Sequence, residues 1–374
     1  MTTWTVDRLR DEIVRLGARG LPREEYFAEL VPRLRKVIGN DATCWHTLDP
    51  HTHLLTSDAS ADLVERGIFS TDSVQAAGEA IIRSEYVVDD VNTFAGLARR
   101  RVPVGIHEHA TRGKPEQSAR YRDVLGPADI PHELRAAFLL RGRVWGAVHI
   151  ARRASSGAFE QADAEKLALL TGAIAEGIRT SMRFDAARRV TGADAPGLIL
   201  LGPDNGVELI TPPARGLLDA LNSGPGEVPA ALLALASFLR SGRGDPASGA
   251  VVTAPSATGW LTLHGSLPGS DGRVAIVVER ATGMQSAALR LEAHGATARE
   301  REVATMLARG LTNAEIADAL VLSQHTVSDH VKNLFEKVGV STRQELVARV
   351  FLDEYLPEVV RATPLTSRGR FDVG

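Results

Sequence analysis

Residues 296–350 read ATAREREVATMLARGLTNAEIADALVLSQHTVSDHVKNLFEKVGVSTRQELVARV and decide the fold of the C-terminal region. Three stretches have the spacing of a capping box, in which a hydroxyl bonds an early helix N–H and a side chain three residues on reaches back. They are Thr297 to Glu300, Thr312 to Glu315 and Ser341 to Gln344. Ser323 is a further N-cap, and Gly310 and Gly339 stand where left-handed C-caps are needed. The pattern predicts four short helices.

The second and third of these helices, Asn313 to Leu320 and Gln324 to Val338, are separated by three residues only. A link this short is typical of a helix-turn-helix. Apolar residues recur at helical spacing along all four segments and predict one core. The predicted core residues are Val303, Leu307, Ile316, Ala317, Leu320, Val327, Val331, Leu334, Val338, Leu346 and Val347.

The same segment resembles the DNA-binding domain of LuxR-type bacterial transcription regulators. The resemblance covers residues 296 to 350 without a gap, with REREV in the first helix, GLTNAEIA at the second, LSQHTVSDHVKNLFEKVGV across the third and STRQELVA at the fourth. Ala296 and Ala298 replace the Leu and Pro of the family's L-T-P-R-E opening, a minor departure at the start of the first helix. The resemblance implies an all-α four-helix domain, predicted at 294–356, that binds double-stranded DNA.

The third helix has a polar face that points away from its core stripe. At 100° per residue, His325, Ser328, Asp329, Lys332, Asn333 and Glu336 lie opposite Val327, Val331, Leu334 and Val338. In helix-turn-helix proteins the N-terminal part of this helix enters the major groove. Lys332 could donate to guanine or phosphate, and Asp329 could accept from cytosine N4. The alternative is that these are only solvated residues of an amphipathic helix. The predicted DNA-binding residues are Thr312, Asn313, Ser323, His325, Thr326, Ser328, Asp329, Lys332 and Asn333.

The charge of this domain counts against tight DNA binding. Between Thr297 and Leu352 seven lysines and arginines face seven aspartates and glutamates. Because phosphate neutralisation supplies most non-specific affinity, a dimer, helix N-termini and arginines of the 357–374 tail (Arg361, Arg368 and Arg370) are expected to compensate. In the family the fourth helix commonly dimerises, so Val350 and Phe351 are predicted to form a dimer seam. RNA polymerase is a further expected partner. The neutral charge also leaves open a scaffold protein whose helix-turn-helix binds another protein.

Residues 1–189 mix helices with short strands. Strands are predicted at Ala42 to Leu48, His53 to Ser57, Leu134 to Leu140 and Val144 to Ala151, the last two forming a hairpin. The runs CWHTL (44–48) and VWGAV (144–148) and the helix after Phe159 resemble a GAF domain, an α+β sensor fold. Cys44, Trp45, His46 and Trp145 are predicted to line a small-molecule site. The apolar stripe of the helix from Asp163 to Arg189 is predicted to dimerise.

Residues 190–285 have strand-like runs at Leu198 to Leu201, Val251 to Ala254, Trp260 to His264 and Val274 to Val278, with a helix at Ala230 to Arg240. This pattern is similar to a degenerate PAS domain, again α+β. Both folds commonly contain small molecules, although a fold does not fix its ligand. The protein is therefore predicted to be multidomain, with two sensor domains and an unidentified small-molecule ligand.

Composition and motifs restrict the remaining classes. The 374 residues have a net charge of -3, one cysteine, a charged N-terminus and no long apolar stretch, which predicts a cytoplasmic protein without a signal peptide, disulfide or membrane span. Gly113-Lys114 lacks the upstream glycine of a phosphate-binding loop, and no catalytic order of Ser, His and Asp is present, so no enzyme activity is expected. A metal or haem site remains an alternative and would use Cys44, His46, His51, His53, His107 and His109. Because these residues match no strong motif, no metal is predicted.

Overall fold

The computed structural model describes residues 5–187, 195–221, 228–243, 249–256, 259–281 and 283–352. The chain divides into two compact units, Met1–Arg280 and Ala281–Gly374. The first unit contains two antiparallel sheets with helices, and the second is helical. The predicted boundary at 189/190 and the 357–374 tail both lie outside the described residues. Within the described ranges no helix is long and apolar enough to cross a membrane.

The first sheet has five strands in the order β2-β1-β5-β4-β3, each antiparallel to its neighbours. They are β1 Ala42–Leu48, β2 Leu55–Ala59, β3 Val104–Ile106, β4 His132–Leu140 and β5 Arg143–Arg152. β1 has its predicted bounds, β2 begins two residues later than predicted, and β3 was not predicted. The predicted β4–β5 hairpin turns at Arg141 (φ 52°) and Gly142 (φ 76°), the two positive φ angles of a type I′ turn.

The described residues up to Ala187 form seven α-helices around the first sheet, besides short 3-10 and π-helical turns. They are α1 Val6–Gly17, α2 Arg23–Arg35, α3 Ala61–Glu65, α4 Thr71–Tyr86, α5 Phe94–Ala98, α6 His107–Ala110 and α7 Gln161–Ala187. α1 and α2 pack against α7, which also contacts β4. At the crossing with α2, a Cβ on Gly177 would stand 2.0 Å from Tyr26 Oη, so only glycine allows this close approach.

The apolar stripe of α7 does not form a free surface. Leu167, Leu170, Ile174 and Ile178 are fully buried within the first unit. The predicted dimer seam on this stripe is therefore already covered by the chain itself. Periodicity shows that a stripe exists, but α1, α2 and the sheet cover it. The predicted last residue, Arg189, is outside the described ranges.

The second sheet repeats the order of the first, as β7-β6-β10-β9-β8. Its elements are β6 Gly197–Leu201, β7 Val207–Ile210, α8 Pro212–Asp219, α9 Ala230–Arg240, β8 Ala250–Ser256, β9 Gly259–Ser266 and β10 Val274–Arg280. β7 was not predicted from the sequence, because Val207 and Leu209 are both exposed edge residues without an alternating pattern. α9 has its predicted bounds, and it packs against α4 and β2 as well as β8 and β9. One apolar cluster consequently includes residues of both sheets.

The described part of the second unit, 283–352, contains five α-helices and a final π-helical turn. They are α10 Gly283–Ala293, α11 Ala298–Ala308, α12 Asn313–Leu320, α13 Gln324–Val338, α14 Arg343–Val347 and the turn Ala348–Leu352. Of the predicted core residues, Leu320, Val331 and Val347 are only partly buried. The others are buried in one cluster.

Candidate nucleic-acid interface

A tight turn sets the angle between α12 and α13. Val321 is the C-cap of α12; it adopts the left-handed conformation (φ 54°, ψ 51°) and is 91% exposed. The Leu322 N–H donates to Ala317 O at 2.9 Å and closes the helix end. A β-branched residue rarely has a positive φ, so this turn carries local backbone strain.

Side-chain caps fix the start of α13 and of the helices around it. Ser323 accepts a hydrogen bond from the Thr326 N–H at 3.0 Å and so satisfies one of the first-turn N–H groups of α13. The predicted capping boxes at Thr297 and Thr312 are confirmed, so the alanines at 296 and 298 do not disrupt the start of α11. Gly339 ends α13 in the left-handed conformation, as predicted.

The predicted cap at Ser341 is wrong by one residue. Thr342 is the N-cap of α14, and its capping-box partner is Glu345 instead of Gln344. The Glu345 carboxylate accepts from the N–H groups of both Ser341 (2.6 Å) and Thr342 (3.2 Å). A carboxylate accepts more strongly than an amide oxygen, which favours this register.

The polar face of α13 is exposed along its whole length. His325 and Asp329 lie one turn apart, with His325 Nε2 3.8 Å from Asp329 Oδ2, and both side chains are largely exposed. Three further residues predicted to contact DNA are exposed on the same helix. They are Ser328, Lys332 and Asn333.

The remaining predicted contact residues are engaged in holding the two helices. The Asn313 side-chain amide donates to Ser328 Oγ at 3.2 Å and joins the start of α12 to α13. Thr312 caps α12, and the hydroxyls of Ser323 and Thr326 are 2.8 Å apart. These residues position the two helix N-termini.

Most cations of this domain are occupied by contacts within the second unit. The occupied side chains are Arg299 with Glu302 and Leu320 O, Arg301 with Glu292, Lys337 with Glu300, and Arg343 with Leu307 O and Leu311 O. Three others form no ion pair or hydrogen bond with any described residue, namely Arg309, Lys332 and Arg349. Of these three, Lys332 lies on α13.

A partly buried ion pair ties the end of α13 to α11. Lys337 Nζ lies 2.7 and 2.6 Å from the two carboxylate oxygens of Glu300, whose side chain is 3% exposed. Burial raises the pKa of Glu300, but the hydrogen bonds from Lys337 and from the Thr297 N–H outweigh it and lower the pKa below its ordinary value. The charged form of Glu300 therefore stabilises the arrangement of these two helices.

The predicted dimer seam at the C-terminal end is covered as well. Val350 and Phe351 are 1% and 5% exposed. They share a cluster with Ala287 and Leu291 of α10, which packs on the final turn. The prediction that these residues form a free seam is therefore wrong for this conformation, because α10 occupies it.

The predicted small-molecule residues fall on opposite sides of the first sheet. Cys44 and His46 line a cavity in the first unit together with His149. Trp45 points the other way and stacks between Phe27 and Phe138, at centroid distances of 5.5 and 5.6 Å. Trp145, the extra residue of the β4–β5 bulge, is buried and does not line the cavity. Alternation along β1 separates residues that are adjacent in sequence.

A buried charge cluster on β4 and β5 was not predicted. Arg120 and Glu133 form a two-pronged ion pair, with both outer contacts at 2.8 Å, and Arg135 reaches Glu85 at 2.6 Å. His149 Nδ1 lies 2.9 Å from Glu133. Burial raises the pKa of Glu133, but Arg120 and His149 lower it well below its ordinary range. β4 alternates polar and apolar residues, which resembles a solvent-facing strand, and only its tertiary neighbours show the burial.

The histidines considered for metal binding are dispersed. His107 is buried and stacks on Tyr121, whereas His51 and His109 are exposed. Within the described part of the chain no three His, Cys, Asp or Glu side chains are grouped as metal ligands.

Comparison with known proteins identifies the C-terminal segment. Residues 296–350 match the model of the "Bacterial regulatory proteins, luxR family". The chain is 52% identical over 52 residues to the probable transcriptional regulatory protein SgaR of Hyphomicrobium methylovorum, covering 14% of this chain and 25% of that protein. It is 53% identical over 55 residues to the transcriptional regulatory protein UhpA of Escherichia coli, covering 15% and 28%. Thus this chain spans about a quarter of the length of these two relatives.

A shorter relative is matched over most of its length. The spore germination protein GerE of Bacillus subtilis is 41% identical over 54 residues, which are 14% of this chain and 73% of that protein. Among solved structures, the phage VqmA-DPO complex matches at 18% identity, with a TM-score of 0.18 and coverage of 50% of this chain and 95% of that chain. A score this low does not support a comparison of folds.

Proposed function

Because the chain belongs to the LuxR family of bacterial regulatory proteins, we propose that it is a cytoplasmic, sequence-specific transcription regulator that binds double-stranded DNA through α13. The observation that carries this proposal is the exposed polar face of α13, on which Lys332 forms no ion pair or hydrogen bond with the residues that the structure describes. A helix with a capped N-terminus and such a cation one turn further on fits the major groove.

The proposed contacts divide into two groups. His325, Asp329, Lys332 and Asn333 extend from α13 toward base edges, with Asp329 accepting from cytosine N4 and Lys332 donating to guanine or phosphate. The second group lies at the N-termini of α12 and α13 and is proposed to contact the DNA backbone. Its members are Thr312, Asn313, Ser323, Thr326 and Ser328. The first group supplies specificity and the second supplies register.

A dimer on DNA is part of the proposal because a neutral domain gains little from phosphate neutralisation alone. Two copies double the number of base contacts and read two half-sites. Since Ala287 and Leu291 cover Val350 and Phe351, this pair is not proposed as the dimer contact. RNA polymerase is the proposed second partner. Light scattering with and without bound DNA measures the dimer.

The proposal extends to control by the first unit. The GAF-like region (1–189) and the PAS-like region (190–285) are proposed to be sensor domains that alter DNA affinity through a small ligand. The sensor proposal is supported by the fold of the two regions, because each forms a five-stranded antiparallel sheet of the same strand order, flanked by helices. A cavity against the first sheet provides a binding volume.

The test begins with selection of binding sequences from random double-stranded DNA by the intact protein. Lys332→Ala should weaken binding to the selected sequence and, if Lys332 contacts phosphate, lower the slope of log K against log salt by about one. The matched control is Arg349→Ala, which removes the same charge outside α13. Equal losses in both variants would indicate non-specific attraction. Failure to select any sequence would favour the alternative hypothesis that the helix-turn-helix binds another protein and not DNA. The neutral charge of the domain supports that hypothesis.

A further inference from the structure

A cavity in the first unit lies between the first sheet and α4, and it is closed on another side by residues at α9. About 90 Å³ of it is open to the centre of a water-sized sphere, several times the volume that one water molecule needs. Most of its wall is apolar, with Phe69 and Ile81 from the α3–α4 region and Leu233 from α9. Because its walls come from both sheet regions, a bound molecule would touch both of them.

His46 lines this cavity and carries an unusually buried polar ring. His46 is 5% exposed, and neither ring nitrogen makes a hydrogen bond of good geometry with the described residues, although a backbone group of Ser57 lies near. Burial, followed by the charges of Arg135 and His149, lowers the pKa of His46 to about 3. The ring is neutral at pH 7, with one N–H donor and one acceptor nitrogen.

The other polar side chains of the wall disfavour an ionic ligand. Among the described lining residues there is no lysine or arginine, so an anion would find no countercharge. Burial raises the pKa of Cys44, and the thiol therefore stays neutral. Asp58 is the one carboxylate of the described wall, and it is exposed. A buried cation would instead face the Arg135 charge behind His46.

We propose that this cavity binds a neutral, mostly apolar small molecule whose single hydroxyl or amide group hydrogen-bonds to the His46 ring. Such a group both donates and accepts, so it pairs with either nitrogen of the neutral ring. The apolar part of the ligand lies against α4 and α9. This inference rests on the proposed sensor function and gives that site its ligand class.

The test uses three probes with the same chain and different heads, 1-octanol, octanoate and octylammonium, added to the intact protein without DNA. Calorimetric titration should show saturable binding of 1-octanol at least tenfold tighter than binding of either ion. His46→Phe keeps the ring shape and removes both nitrogens, so it should weaken 1-octanol binding about tenfold, the effect of one lost hydrogen bond. His109→Phe, at an exposed histidine outside the cavity, should leave binding unchanged.

A second variant guards against a folding defect in His46→Phe. Gly78 lines the cavity, and a Cβ there meets no atom within 4 Å, so Gly78→Leu adds a side chain that begins in open space. It should abolish binding of all three probes while the tryptophan fluorescence stays native. Equal affinity for octanoate or octylammonium, or unchanged 1-octanol binding in both variants, would overturn the assignment. If 1-octanol binds as described but DNA affinity does not change, the cavity assignment stands and the proposed sensor control fails.

Discussion

The Lys337–Glu300 contact allows a sharp test of how α13 is positioned. Glu300→Gln keeps an oxygen for the Thr297 N–H but removes the charge that faces Lys337 at 2.6 Å. A hydrogen bond to a charged group contributes about 1.5–3 kcal/mol. Because Lys337 is 27% exposed, solvent screening reduces this, and we expect a loss of about 1–2 kcal/mol in opening free energy.

Hydrogen exchange of the intact protein measures this loss at the amides of α13. A change of that size corresponds to exchange about 5–30 times faster, since 1.4 kcal/mol is tenfold. The matched control is Glu302→Gln on the same helix, whose partner Arg299 is at 2.7 Å with side chains 39% and 51% exposed. An exposed pair contributes about 0–1 kcal/mol, so the control should change exchange much less.

The pH dependence of this effect has a definite sign. The pKa of Glu300 is lowered in the folded state from its ordinary value of 4.5. Its stabilisation is therefore complete above about pH 4.5 and is lost as the pH falls through the folded-state pKa. The difference between wild type and Glu300→Gln should shrink below pH 4.5. Equal effects of both glutamine variants, or a difference that does not depend on pH, would refute the proposed role of this ion pair.

Three further substitutions test local features of the fold. Gly177→Ala places a Cβ against Tyr26 and should lower the free energy of unfolding by about 1–3 kcal/mol. The control is Gly172→Ala on the same helix, where a Cβ meets no atom within 4 Å and should raise the free energy of unfolding by up to about 1 kcal/mol. Urea unfolding followed by tryptophan fluorescence compares the two variants. Val321→Gly relieves the left-handed strain of an exposed residue and should raise the stability of the second unit by about 1 kcal/mol, measured as slower exchange in α12 and α13. His46→Phe removes buried nitrogens without good protein partners and should stabilise the first unit by about 1 kcal/mol in the same urea assay; a loss of stability would show that the ring is satisfied.

Local signals in the sequence were sufficient for much of the fold. The caps at Thr297, Thr312 and Gly339, the turn at Arg141-Gly142 and the bounds of β1 and α9 depend on neighbours within a few residues. Such local interactions can be predicted from residue types and their spacing. The exposed face of α13 followed in the same way from helical periodicity.

Partners distant in sequence account for what was missed. The sequence predicts dimer seams at the stripe of α7 and at Val350–Phe351 because periodicity identifies an apolar surface but not what covers it. Likewise Glu133 and Arg135 resemble solvent-facing residues until Arg120 and Glu85 reach them from other segments. Alternation could have separated Trp45 from Cys44 and His46, since it places them on opposite faces of β1.

Asp329 offers the most direct test of whether α13 reads bases. Binding of the selected DNA and of all its single-base variants is measured for wild type and for Asp329→Ala. The account predicts relaxed preference at one position of each half-site, with about 1–3 kcal/mol lost on the preferred base. Unchanged preference at every position would contradict the assignment of this face as the reading surface.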